Sequence, residues 1–310
     1  MDHAPIVCKS RGMDHESDAT TIEPPSPPFA AGERVPPSLY FVVSAIFHYL
    51  GPAFAVLLFA HVAPLGVAWL RIASAALIFA LWRRPWRYFA QQNAAVRWNI
   101  VALGAVLGGM NVCFYLAIDR LPLATVGAIE FLGPIALAWA GLHSRRNGVA
   151  LAVAAAGVAM LTHVRLAGTA ISFAFAFANC ALFMLYIVLG HRIARDGGGN
   201  GIDRLAAAML VALLVVMPPG WREAAVAFIH PGLLAAGIGV SVSSSVIPYV
   251  CDQLAMARLP RATFALMLAL LPATACAIGI VVLHQLPGPA ELTGIALVIA
   301  GINLHRAAPR

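Results

Sequence analysis

Charged residues are scarce in this chain: only 11% of its 310 residues are Asp, Glu, Lys or Arg, whereas 61% are hydrophobic. An ordinary soluble domain carries about 25% charged residues. With so little polar surface, a soluble fold of this size could not cover its apolar residues, which excludes a soluble enzyme or binding domain. The mean hydropathy of +0.85 predicts instead that apolar side chains face lipid.

The motifs of membrane-embedded enzymes are also missing. The chain has no His-Glu-x-x-His sequence, no Gly-Lys-Ser/Thr phosphate loop and no pair of intramembrane aspartates. Its five cysteines show neither metal-ligand spacing nor a disulfide framework. We therefore expect no enzymatic activity, no cofactor and no metal site.

The net charge of +7 does not indicate a nucleic-acid partner, because the basic residues are spread over short segments between apolar runs. The segments between successive apolar runs lie alternately on the two sides of the membrane. Counted in this way, one side holds sixteen Lys and Arg residues and the other holds three, while Arg71 lies within a run. Basic residues accumulate in cytoplasmic loops. This distribution predicts that both termini are cytoplasmic. The polar, proline-containing residues 1–37 lack the apolar core of a signal peptide and are predicted to form a disordered cytoplasmic tail.

Ten apolar runs are candidates for transmembrane helices, since crossing a bilayer requires about 20 apolar residues. They lie at 38–60, 63–82, 98–118, 122–142, 148–164, 169–190, 205–218, 232–256, 262–283 and 289–305. The prediction is thus an all-α integral membrane protein with ten spans, grouped as 38–164 and 169–306.

An internal repeat relates these two groups. Arg120-Leu121-Pro122 recurs 138 residues later as Arg258-Leu259-Pro260. An Ala-Thr pair and a distant proline follow each copy in the same register: Ala124-Thr125 with Pro134, and Ala262-Thr263 with Pro272. Because each group has five spans, the second is inserted upside down relative to the first. Inverted repeats are typical of secondary transporters, although chance similarity between Leu- and Ala-rich helices is the alternative.

Two ionisable residues, Arg71 and Glu130, fall near the middle of predicted spans. A charge within a membrane is costly, so each one requires an explanation. In the functional interpretation they form a site that switches between two states: Arg71 and Glu130 paired with each other, or bound to a substrate or a proton. The alternatives are a permanent structural ion pair, or an Arg71 side chain that extends toward the membrane surface.

Other polar residues in the spans are candidates for a substrate and proton pathway. They are His48, Asn111, Tyr115, Asn179, Ser244 with its neighbours Ser243 and Ser245, Tyr249 and Asp252. Asn111 and Tyr115 are four residues apart and so share one helix face. The serines can alternatively hold helices together by hydrogen bonds, and His48 is either a proton relay or a hydrogen-bonded structural residue.

Three stretches carry a family resemblance: Asn111-Val112-Cys113-Phe114-Tyr115-Leu116, Glu130-Phe131-Leu132-Gly133-Pro134, and Pro248-Tyr249 with Asp252, Arg258-Leu259-Pro260 and Thr263-Phe264. Over residues 38–306 the chain resembles the drug/metabolite transporter superfamily, in its EamA-type branch of ten-helix carriers. Within that branch it is similar to inner-membrane threonine/homoserine exporters. It departs from them at Leu271, where they place a glutamate, and at Asp252, where they tend to have one.

The resemblance implies proton-coupled export of a small polar metabolite across the bacterial inner membrane, with an amino acid such as threonine or homoserine as the leading substrate. Glu130 would then couple to protons or bind a substrate ammonium, and Arg71 would balance the charge of Glu130 or meet a carboxylate. Asn111, Tyr115 and Tyr249 would orient the ligand. An efflux carrier for drugs, nucleosides or other metabolites is the alternative, followed by a channel, against which the inverted repeat argues. The expected partners are a small-molecule substrate and the lipid bilayer.

Overall fold

The computed structural model describes residues 36–133, 136, 144–163, 170–195, 201–258 and 270–304, and these ranges contain helices and no strand. The helices are α1 (Pro37–Leu58), α2 (Pro64–Arg83), α3 (Pro85–Gln91), α4 (Ala94–Ile118), α5 (Leu123–Glu130), α6 (Arg145–His163), α7 (Ala170–Arg195), α8 (Gly201–Ile229), α9 (Pro231–Ser241), α10 (Ile247–Arg258), α11 (Leu270–Leu283) and α12 (Pro289–Leu304). A π-helical turn, Val242–Val246, joins α9 to α10. The predicted tail lies outside the described residues except for Pro36 and Pro37.

Six of the described helical segments are long and apolar enough to cross a bilayer. They are Ser38–Leu58, Pro64–Arg83, Ala94–Ile118, Ala170–Leu189, Gly201–Ile229 and Pro231–Asp252. Large apolar side chains on their outer surfaces remain exposed, among them Leu81 and Leu214. Such surfaces are stable against lipid but not against water. The predicted class, an all-helical protein that crosses the membrane several times, is therefore confirmed.

Proline and asparagine set where several helices begin. Proline occupies the first helical position of α1, α2, α3 and α9, where its missing N–H removes no intrahelical hydrogen bond. Asn93 caps α4 by accepting a hydrogen bond from the Val96 backbone N–H at 2.9 Å. Between α2 and α3, Arg84 adopts a left-handed conformation with φ of 48°, which turns the chain sharply.

Glycines let several of these helices approach each other closely. A Cβ atom on Gly104 would lie 2.4 Å from the backbone oxygen of Ala208, so α4 contacts the backbone of α8 directly. Gly66 and Gly220 play the same part between α2 and α8, since each faces the backbone of the other helix. Small residues at membrane helix interfaces permit such contacts. These glycines therefore serve in helix packing.

The seventh predicted span, 205–218, is too short, because α8 extends from Gly201 to Ile229 through Pro218 and Pro219. The Pro-Pro pair and the following charged residues indicated a break. The helix continues because its far end is held on α2, where the Glu223 carboxylate accepts the Gly66 backbone N–H at 3.2 Å. The short helix α3 was likewise missed by the span prediction.

The most extensive helix contacts join the two predicted groups of spans. Helix α2 packs on α8, α6 on α12, α4 on both α7 and α8, and α1 on both α10 and α11. Helix α5 contacts α7 and α11, and α2 contacts α9. Side chains from α1, α2, α4, α5, α7 and the α9–α10 segment consequently meet in the interior between the groups.

Candidate functional site

The Arg71 side chain, only 7% exposed, lies in this interior, and its described hydrogen-bond partners are all neutral. Its Nε donates to Ser245 Oγ at 2.8 Å, and its Nη1 donates to Asn111 Oδ1 at 3.1 Å. Its Nη2 donates to the Ser244 carbonyl oxygen at 2.9 Å. Three segments, α2, α4 and the π-helical turn, therefore meet at one buried cation. Arg71 does not extend toward the surface.

The π-helical turn shapes this side of the site. Such turns widen a helix locally and occur often at functional positions. The hydroxyls of Ser243 and Ser244 donate back to Val240 O within their own segment, at 3.1 and 2.6 Å. Ser241 Oγ instead donates to Arg71 O at 2.6 Å. Only some serines here therefore connect helices, and Ser244 meets Arg71 through its carbonyl group.

Asn111 and Tyr115 share one face of α4, as their spacing predicts. The side-chain amide of Asn111 makes two hydrogen bonds: Nδ2 donates to Ala68 O at 3.1 Å, and Oδ1 accepts the hydrogen bond from Arg71 Nη1. The Arg71 guanidinium carbon lies 5.6 Å from the centre of the Tyr115 ring, within cation–π range. The buried Tyr115 hydroxyl lies near Arg71 and Ser244 but makes no well-aligned hydrogen bond with any described residue.

Glu130, at the end of α5, is 3% exposed, and its hydrogen-bond donors in the described part of the chain are neutral. Asn179 Nδ2 on α7 donates to Oε1 at 3.3 Å, and the Tyr49 hydroxyl on α1 donates to Oε2 at 3.5 Å. Both bonds are long for a carboxylate, whose hydrogen bonds are typically about 2.7–2.9 Å. The carboxyl group is thus positioned by two helices without being tightly bound.

Arg71 and Glu130 do not form the permanent ion pair that sequence reasoning offered as the structural alternative. The ion pairs among the described residues are Arg83 with Asp203, at 2.7 Å, and Arg120 with its neighbour Asp119. Arg71 is nevertheless one of the ionisable groups near Glu130. The interior therefore holds a guanidinium and a carboxyl group, and the described hydrogen-bond partners of each are neutral.

Asp252 on α10 lies beside α1. Ser44 Oγ donates to Asp252 Oδ1 at 2.5 Å and lies 3.3 Å from Pro248 O. One helical turn further along α1, His48 is half-buried, packs edge-on against Tyr49 with ring centres 5.2 Å apart, and is within electrostatic range of Arg71. Ser44 and His48, four residues apart, thus lie on one face of α1 toward the polar interior.

Tyr249 is buried, and Arg71, Glu130 and Asp252 are among the ionisable residues near it. Tyr186 on α7 also lies near Asp252. The structure thus brings together all nine sequence-predicted residues around one interior region. Pro134 and the second copy of the Arg-Leu-Pro motif beyond Arg258 lie outside the described residues.

Sequence reasoning missed Ser44, Tyr49 and Tyr186. Ser44 was detectable, since it precedes His48 by one helical turn on the same face of a span. Tyr49 follows His48 directly, but nothing in the sequence relates it to Glu130, which is 81 residues away. In the part of the chain that the structure describes, no three His, Cys, Asp or Glu side chains are grouped as metal ligands would be. The arrangement instead suits a small ligand that carries separate positive and negative groups.

The chain is similar to several known proteins over most of its length. The chain is 32% identical over 258 residues to the threonine/homoserine exporter RhtA of Escherichia coli (strain K12), a match that covers 81% of this chain and 84% of that protein. RhtA of Salmonella typhimurium is also 32% identical, over 80% of this chain and 82% of its own. A solved crystal structure shares the fold with a TM-score of 0.56 and 18% identity, covering 86% of this chain and 97% of the other. No protein-family model matches the chain.

Proposed function

Because the chain belongs to the family of the threonine/homoserine exporter RhtA, within the drug/metabolite transporter superfamily, we propose that it exports small amino acids. The substrate class is threonine, homoserine and amino acids of similar size, and the membrane is the bacterial inner membrane. The observation that carries the proposal is the 32% identity to these exporters over most of both chains. The opposite charges of Arg71 and Glu130 supply a matching site.

Arg71 is the residue that receives the substrate carboxylate. Its present acceptors are the neutral oxygens of Ser245, Asn111 and Ser244. A carboxylate adds its own negative charge and can accept two parallel hydrogen bonds from one guanidinium, so exchange of the neutral acceptors for the substrate is favourable. Tyr115, stacked beside the guanidinium, limits the space available to the substrate side chain.

Glu130 is the residue that alternates between a proton and the substrate ammonium. Its two long hydrogen bonds, from Tyr49 and Asn179, leave the carboxyl group able to accept a stronger donor. A buried carboxylate without a cation is costly, which favours a proton whenever the ammonium is absent. Alternation of this kind couples export to the proton gradient, and His48 and Asp252 continue the proton path toward the ends of α1 and α10.

The helix packing supports ten spans arranged as two inverted repeats, 38–164 and 169–306. The spans of the first group contain α1, α2, α4, α5 and α6, and those of the second contain α7, α8, α9 with α10, α11 and α12. If these correspond in order, each contact between the groups must recur when the groups are exchanged. The pair α4–α7 then corresponds to α10–α1, α5–α7 to α11–α1, and α4–α8 to α9–α2, and all six pairs are in contact. The pairs α2–α8, α5–α11 and α6–α12 map onto themselves. Two such halves can rock against each other to expose a central site alternately, and the arginine distribution then places both termini in the cytoplasm.

The test is amino-acid export from cells that overproduce the protein, with Glu130→Gln and Glu223→Gln compared at matched membrane levels. Glu223 accepts a hydrogen bond from the Gly66 backbone rather than from a residue of the site, and glutamine retains that acceptor oxygen, so Glu223→Gln is the control. We expect increased efflux of threonine or homoserine with the wild type and the control, and loss of the increase with Glu130→Gln. Unchanged efflux across a panel of amino acids would overturn the substrate class. Saturable counterflow in vesicles would distinguish the carrier from a channel.

A further inference from the structure

A basic corner forms where α2, α3 and α4 meet, and it lies apart from the transport site. Arg84, Arg87 and Arg97 are all exposed there. Residues 34–118 contain no Asp or Glu, so no acidic residue of this stretch neutralises them. Arg83 beside them is already paired with Asp203, whose two carboxylate oxygens accept at 2.7 and 2.9 Å. Among the described residues of α2, α3 and α4, the charged side chains of the corner are therefore all positive.

Exposed tryptophans surround these arginines. Trp82 is 47% exposed, Trp86 52% and Trp98 70%. A tryptophan ring that is left uncovered by protein is typical of the membrane–water interface, where its apolar body meets acyl chains and its N–H meets water. The three rings place the corner at the level of the lipid headgroups, with the arginines within reach of lipid phosphates.

The corner is also held in a fixed shape. The left-handed conformation of Arg84 turns α3 away from α2, and α3 packs on α8. Arg97 donates from Nε to Phe89 O at 3.1 Å and from Nη2 to Ala90 O at 2.5 Å, which closes the end of α3. Arg204 on α8 donates to the Tyr88 hydroxyl at 2.9 Å. Arg84 and Arg87 are consequently presented on a rigid support, which lowers the entropic cost of binding.

We propose that this corner is a binding site for an anionic phospholipid of the cytoplasmic leaflet. The lipid phosphate binds Arg84 and Arg87, and the acyl chains lie along Trp82 and Trp86. Guanidinium groups match phosphate geometry and bind it by charge-assisted hydrogen bonds. A zwitterionic lipid is discriminated against, because its own ammonium opposes the arginines. The site is independent of the proposed transport reaction.

The first experiment measures quenching of tryptophan fluorescence by brominated lipids. A parent variant carries Trp69→Phe, Trp139→Phe and Trp221→Phe, so that only the three tryptophans of the corner remain. It is reconstituted in phosphatidylcholine vesicles with increasing fractions of brominated phosphatidylglycerol or brominated phosphatidylcholine. We expect the anionic lipid to quench at lower fractions. Arg84→Gln with Arg87→Gln should raise the required fraction by about fivefold for each arginine, since each contributes about that factor near an anionic surface.

The matched control is Arg222→Gln, an exposed arginine near the other end of α8, which should leave the quenching curve unchanged. Native mass spectrometry of the wild-type chain provides a second measurement that does not depend on the tryptophan substitutions. There, phosphatidylglycerol adducts should outnumber phosphatidylcholine adducts, and the double variant should lose the excess. Equal quenching and equal adducts with both lipids, or a preference that survives in the double variant, would overturn the proposal.

Discussion

The guanidinium Nη1 of Arg71 donates to Oδ1 of Asn111 at 3.1 Å, and the same amide donates from Nδ2 to Ala68 O, so one asparagine holds both the side chain of the arginine and the helix that carries it. The arginine is buried but faces neutral acceptors rather than a carboxylate. A buried charge held in this way is available to a ligand of opposite charge. Its immediate neighbours therefore decide whether a substrate can compete for it.

Asn111→Asp should reduce export about 10- to 100-fold, because it places a carboxylate 3.1 Å from Arg71 at nearly constant volume. A hydrogen bond between charged groups is worth about 1.5–3 kcal/mol, and the substrate would have to displace it. The thermal midpoint should stay unchanged or rise, which separates this effect from misfolding. Asn93→Asp is the control, since aspartate caps α4 as well as asparagine does. Wild-type export by Asn111→Asp would contradict the role of Arg71.

Tyr49→Phe should lower export about two- to tenfold, because it removes one of the two hydrogen bonds to Glu130. A hydrogen bond of this kind contributes about 0.5–1.5 kcal/mol. Initial export rates at several internal substrate concentrations measure the effect, which should be largest below saturation. Tyr88→Phe removes a hydroxyl that binds Arg204 outside the site, and export should be unaffected. Equal losses with both variants would assign Tyr49 a general structural role.

Gly127→Ala should impair export through Tyr49. A Cβ atom on Gly127 would lie 2.9 Å from the Tyr49 hydroxyl oxygen and 3.0 Å from Ala275 Cβ. The tyrosine must then shift away from its hydrogen bond to Glu130. In a Tyr49→Phe background the hydroxyl is absent, so the additional loss caused by Gly127→Ala should be smaller than in the wild type. Additive losses in this double-mutant cycle would show that the two positions act separately.

Gly51→Ala should destabilise the fold, because its Cβ atom would lie 2.3 Å from Ser244 Cβ and 2.6 Å from the Ser244 backbone. Forcing extra atoms into such a contact costs about 1–3 kcal/mol. A lowered thermal midpoint in detergent would measure this cost. Gly239→Ala, at a helical position with nothing within 4 Å, should leave the midpoint unchanged or raise it. Equal changes of the thermal midpoint with both substitutions would show that α1 does not pack closely on the π-helical turn.

Several features of the site were predictable because they depend on local spacing. Arg71 and Glu130 interrupt long apolar runs, and the cost of a charge in lipid forces such residues inward. Asn111 and Tyr115 are one helical turn apart, so they share a face in any α-helix. The π-helical turn was not predictable in this way, because Val242–Val246 carries no local signal for it, whereas its contacts with Arg71 and Gly51 come from distant parts of the chain. The continuation of α8 beyond Pro219 likewise depends on its contacts with α2.

By itself, the sequence determined that this protein is helical and crosses a membrane, because the length and polarity of each apolar run decide whether lipid can surround it. It also predicted which polar residues lie within the apolar spans. Only the tertiary structure decided their partners: Tyr49 and Asn179 around Glu130, and Ser244, Ser245 and Asn111 around Arg71. These groups are separated along the chain and meet because glycines let particular helices approach. Hydrogen bonding acts over about 3 Å, so the choice of partner belongs to the packing.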